Sequence, residues 1–128
     1  MKYVFTRMKQ VSDIMLDAAL AELRSIRQQQ AGHQKAIEDL RRKKVEIHRL
    51  AVASENPIEA ILHAETWNTW HQKEIITHNS ALAQLNVMAE EAELKARQQF
   101  GRQQATQNLQ QKQLSAQKSI AQRRAAQT

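Results

Sequence analysis

The stretch Ala53-Ser54-Glu55-Asn56-Pro57 separates two long runs of good helix formers, and it holds the only proline of the chain. A proline inside a helix removes a backbone donor and clashes with the preceding turn, whereas at the first turn of a new helix it is tolerated. One helix therefore ends near Ala53 and another begins near Pro57. The expected fold is all-α: a long two-helix antiparallel coiled-coil hairpin, with helix 1 over about 4–53, a turn at 54–57, helix 2 over about 57–122 and an overhanging C-terminal helix end. Residues 1–128 then form one elongated domain. Residues 10 to 53 alone would span about 66 Å, the proportions of a spacer or lever.

Composition points the same way. The 128 residues include 19 Lys and Arg against 13 Asp and Glu, but only two Trp, two Phe and one Tyr. Dominance of Ala, Gln, Glu, Lys, Arg and Leu belongs to long helices with a thin core. Without cysteine there are no disulfides or thiolate metal sites, which is compatible with a reducing cytoplasm. No apolar run reaches the length of a membrane span, and Met1 to Arg7 lacks the uninterrupted apolar stretch of a secretory signal. The chain is thus expected in the cytoplasm, reaching a membrane only through partners, with no direct insertion.

The two arms pair by their 3,4-spaced stripes. In the first arm the stripe runs Leu16, Leu20, Leu23, Ile26, Gln30, His33, Ile37, Leu40, Lys44, Ile47, Ala51, with one shortened step between Leu20 and Ile26. In the second it runs Ile61, Ala64, Asn68, His71, Ile75, His78, Leu82, Leu85, Ala89, Ala92, Ala96. Folding at Asn56 brings these together as layers whose residue numbers sum to 111 or 112, from Ala51 with Ile61 through His33 with His78 to Leu16 with Ala96. Large side chains then face small ones, so the helices approach without strain. Beyond Ala96 the stripe decays into Gln99, Gln103, Thr106, Gln110 and Gln113, and Met1 falls opposite residues near 110.

Several positions stand out as contact candidates. At the open end, Tyr3, Val4, Phe5, Met8, Val11 and Met15 continue helical apolar spacing and could pack on Phe100, Leu109 or an external partner, while Gly101 could permit a bend. After Glu93 no acidic residue occurs, whereas Lys95, Arg97, Arg102, Lys112, Lys118, Arg123 and Arg124 are basic. Aromatics do not interleave with these cations, which argues against a nucleic-acid groove. Trp67 and Trp70 lie off the seam, and Trp favours contact hot spots. With Glu74 they are expected beside Gln34, Glu38, Arg41 and Val45 as a lateral partner site; the bland alternative is that Trp67 merely roofs the seam. His33, His71 and His78 are read as register-setting polar layers in preference to a metal site or a pH switch.

Nothing supports catalysis. A glycine-rich phosphate loop and a cysteine nucleophile are lacking, and the His and carboxylate groups lie on solvated helix faces without oriented oxyanion donors. No enzyme activity, cofactor, metal or small-molecule substrate is expected.

A short basic N-terminal segment with an apolar start (Met1 to Arg7), two helices of unequal length and the stretch Trp67-Asn68-Thr69-Trp70-His71-Gln72-Lys73 after the turn together resemble the flagellar export stalk proteins, FliJ, and their injectisome counterparts in type III secretion. The likeness spans most of the chain and rests on architecture. It implies an antiparallel coiled coil like the shaft of a rotary ATPase, whose end carrying both termini enters a hexameric export ATPase while its side meets an export-gate membrane protein and export chaperones. By position, the ATPase end would comprise residues 2–20 and 97–124, with Tyr3, Phe5, Met8, Arg97, Arg102, Arg123 and Arg124. The gate and chaperone flank would comprise Gln34, Glu38, Arg41, Val45, Trp67, Trp70 and Glu74. A second class remains open: a homodimeric coiled-coil scaffold or adaptor whose basic tail touches nucleic acid or an anionic surface.

Overall fold

The computed structural model describes residues 2–127, which form two helices, α1 (Lys2–Val52) and α2 (Pro57–Gln127), packed against each other as a hairpin. Met1, expected opposite residues near 110, lies outside the described residues. The turn falls where the proline places it. α1 closes with the Ala53 N–H donating to the Arg49 carbonyl (3.2 Å) and the Ser54 N–H to the Ala51 carbonyl (3.4 Å). Asn56 then caps α2: its carbonyl accepts from the Ala60 N–H at 3.2 Å, its own N–H donates to Ser54 Oγ at 3.2 Å, and its Nδ2 donates to Glu59 Oε2 at 3.1 Å. Pro57 occupies the first helical position, where its missing donor costs nothing, and Glu59 sets a carboxylate at the positive end of the helix. No residue of the turn needs positive φ. α2 continues past the expected end near 122 to Gln127, and Gly101 sits inside it with ordinary helical φ.

The residues group into two compact units: unit 1 joins Met1–Arg24 to Glu90–Thr128, and unit 2 is Ser25–Ala89. In unit 2, Ile26, Ile37, Leu40 and Ala51 are buried from α1, and His71 and Leu85 from α2. Half-buried between them lie Gln30, His33, Ile47, Ala64, Asn68, Ile75, His78 and Leu82, so the heptad spacing selected the seam. Lys44 and Ile61 are the exceptions, both exposed near the turn. Ile26, only 3% exposed, contributes roughly 1.5–3 kcal/mol of apolar burial. His33 meets His78 as the layer arithmetic requires. Gln30, expected over Leu82, donates from Nε2 to Asn86 Oδ1 at 2.8 Å, one turn further along α2.

Unit 1 corrects the expected layers. Leu20 is 40% exposed and Ala19, at 6%, takes its place. Leu16, Ala19, Leu23 and Ile26 alternate steps of three and four, which keeps the 3.5-residue repeat intact, so no shortened step is needed. The pairing also moves. Ser12, which the arithmetic sets opposite Gln99, instead has its Oγ 3.4 Å from Thr106 Oγ1, a heptad further along. Each hydroxyl also donates to its own helix, Ser12 to the Met8 carbonyl (2.8 Å) and Thr106 to the Arg102 carbonyl (2.9 Å), so the contact between them is close packing more than a strong bond. Stronger ties flank it: Gln103 Nε2 donates to Asp13 Oδ1 at 2.6 Å, and Lys95 pairs with Glu22 at 3.7 Å. From Leu114 to Gln127 every side chain of α2 is exposed, which is the overhanging end.

Candidate functional site

Unit 1 brings the apolar start of α1 onto α2. Tyr3, Val4, Met8 and Val11 form one wall of a groove of about 680 Å³, and Ala105 and Leu109 form the other, with Arg7 and Arg102 beside them. Val4, Met8 and Val11 on one wall and Ala105 and Leu109 on the other each precede a seam position, as Val11 comes before Ser12 and Ala105 before Thr106. In two antiparallel right-handed helices, residues that precede the seam lie on the same flank of the pair. The Arg7 guanidinium stands 5.3 Å from the Tyr3 ring centroid, a cation–π contact at the groove margin.

Of the residues assigned to the ATPase end, Tyr3, Met8 and Arg102 line this groove. Phe5 is half-buried toward the seam, Arg97 is exposed outside the groove, and Arg123 and Arg124 are exposed on the last turns of α2. Arg7 and Ala105, which lie within the assigned ranges 2–20 and 97–124 but were not singled out there, also line the groove. For Ala105 the signal is its place immediately before the seam residue Thr106, which stripe counting alone does not use.

The lateral flank does not assemble as expected. Glu74 lies with Ala36, Asp39, Arg42, Lys43 and Glu46, in a groove that His78 also lines, and not beside Gln34, Glu38, Arg41 and Val45. Val45 borders a separate hollow on α1 with Lys44, His48, Arg49 and Val52. The reason is handedness: Trp67, Trp70 and Glu74 precede seam positions, whereas Gln34, Glu38, Arg41 and Val45 follow them, so the two sets occupy opposite flanks of unit 2. Trp67 is half-buried, its ring 4.9 Å from His71 and 6.1 Å from Trp70, and it lines a groove with Ile47, Ala51, Ile61 and Ala64. It does roof the seam. Trp70, 48% exposed, keeps a face available for contact.

The polar layers carry the sharpest chemistry of unit 2. His33 Nδ1 and His78 Nδ1 are 2.8 Å apart, which requires one nitrogen to donate and the other to accept. His78 Nε2 lies 4.0 Å from Glu74 Oε2, and Asp39, Lys43 and Glu46 share the adjoining groove.

His71 is 6% exposed, and neither of its ring nitrogens has a hydrogen-bond partner; Asn68 Oδ1 is likewise buried and unpartnered. On the exposed face of α1, the hydrogen bond from Arg49 (2.6 Å) and then its charge hold the Glu46 carboxyl below the usual carboxylate range. That pair is solvated and steadies its helix little. Among the described residues no three metal-ligating side chains converge, and no helix is long and apolar enough to cross a membrane. No family model, no curated protein and no solved structure matches the chain.

Proposed function

We propose that this chain is a non-enzymatic stalk and escort component of a type III protein export apparatus, flagellar or injectisome, working in the cytoplasm. In this role it couples a hexameric export ATPase to the membrane export gate and to export chaperones. The observation that supports it most is the groove of unit 1, where exposed Tyr3, Val4, Met8 and Val11 meet Leu109 beside Arg7 and Arg102, on a helix that carries no acidic residue after Glu93. An apolar surface with a cationic margin suits insertion into an oligomeric protein ring better than it suits a solvated spacer. The exposed Trp70 of unit 2 is the anchor best suited to the gate or a chaperone.

The second reading, a homodimeric coiled-coil scaffold or adaptor whose basic tail meets nucleic acid or an anionic surface, draws on the exposed helix from Leu114 to Gln127 with Lys118, Arg123 and Arg124. One set of measurements separates the two. Met8→Asp with Val11→Asp alters exposed side chains and should keep the helical content while weakening capture and stimulation of a hexameric export ATPase roughly tenfold or more. Arg123→Glu with Arg124→Glu should weaken it less. An ATPase that binds the aspartate variant as well as the parent would sink the stalk reading. Tight nucleic-acid binding that falls steeply with salt would support the scaffold instead.

A further inference from the structure

The turn end of unit 2 leaves apolar side chains uncovered on both helices. Val52 is 81% exposed and Ile58 75%, and Val45, Ile61 and Leu62 are exposed with them. Between the helices opens a groove of about 330 Å³ whose floor is Ile47, Ala51 and Ala64. Exposed apolar surface at this density marks a contact face.

Charge indicates what fits it. On this flank α1 presents Arg41, Lys44 and Arg49, because Arg42, Lys43 and Glu46 line the groove on the other flank, whereas α2 presents Glu65 and has no Lys or Arg over residues 55–65. The ion pairs formed here join neighbours on one helix: Arg42 with Glu38 and Asp39, Arg49 with Glu46, and His63 with Glu59. Lys44 and Glu65 line the same groove, and neither has an ion-pair partner among the described residues. The face thus has a basic half on α1, an acidic half on α2 and an apolar middle. An acidic partner would satisfy only the first half and a basic one only the second. A second copy satisfies both.

We propose that the turn end of unit 2 is a self-association surface, joining two copies of this chain about a two-fold axis that runs along the helices. α1 of each copy then lies on α2 of the other, both turns point the same way, and Lys44 of one copy faces Glu65 of the next. The contact is a short four-helix bundle that covers Val45, Val52, Ile58 and Leu62. A two-fold axis across the helices would set basic α1 against basic α1, and repulsion disfavours it. The inference uses residues other than those of the unit 1 groove and holds whichever function is right.

Sedimentation equilibrium of the full chain from micromolar to submillimolar concentration tests it. The expected species has about twice the 14.7 kDa of one chain. Val52→Glu with Leu62→Glu should give a monomer of unchanged helicity, since both side chains are exposed. Lys44→Glu should weaken association about tenfold, and adding Glu65→Lys should restore it. Because the chain lacks cysteine, spin labels at Val52→Cys and at Gln34→Cys report the arrangement directly. Both pairs should be short; in the crosswise arrangement the Gln34 pair would exceed about 40 Å. A 14.7 kDa species throughout, a dimer indifferent to the two glutamates, or a long Gln34 distance would each overturn the proposal.

Discussion

Replacing His71 by leucine is expected to stabilise unit 2 by about 2 kcal/mol, raising its melting midpoint by roughly 10 °C. The imidazole is 6% exposed, stacks on Trp67 and leaves both nitrogens without a partner, so folding strips water from two polar atoms and returns nothing to them. Leucine fills a similar volume without that loss. The layer it joins already holds buried Leu40 on the expected pairing. Thermal unfolding followed by circular dichroism decides the matter: an unchanged or lower midpoint would mean that His71 earns its place through a bond that leucine cannot make.

Ile26→Ala should act in the opposite direction and more strongly. Ile26 is the most buried aliphatic side chain of unit 2, at 3% exposure, and Leu85 at 6% comes from the facing stripe of α2. Truncation removes the transfer energy of three carbons and leaves a gap that two helices alone cannot close, a cost of about 3 kcal/mol. The midpoint should fall by roughly 15 °C. In a thin seam that is a large share of the total, so partial unfolding near body temperature is the expected outcome. Combined with His71→Leu, the two changes should nearly add, because several layers separate them. A fall of only a few degrees for Ile26→Ala would show that the seam is not what holds unit 2 together.

Much of this fold was legible in the sequence because two signals are local. Asn56-Pro57 fixed the turn through backbone chemistry alone, and the α2 stripe from Ala64 through His71, Leu85 and Ala96 to Thr106 emerged from spacing without reference to α1. The errors arose where a choice depended on the other helix. Leu20 displaced Ala19 in the reading because hydrophobicity favours leucine, but the unbroken repeat outweighs one side chain. In unit 1 the layer sum of 111 or 112 sets Ser12 opposite Gln99 and not Thr106, because two polar layers a heptad apart differ little in energy, and the tie from Gln103 to Asp13 settles a choice that stripe counting leaves nearly level. Splitting the lateral flank required the handedness of both helices at once. A linear list of layers discards that information.

Among the described residues no large side chain is fully enclosed; even Ile26 retains a trace of exposure. A seam one layer thick conceals little surface that could later be released. Recognition can begin from side chains already on display, and a ligand need not wait for a rare opening before it finds its footing.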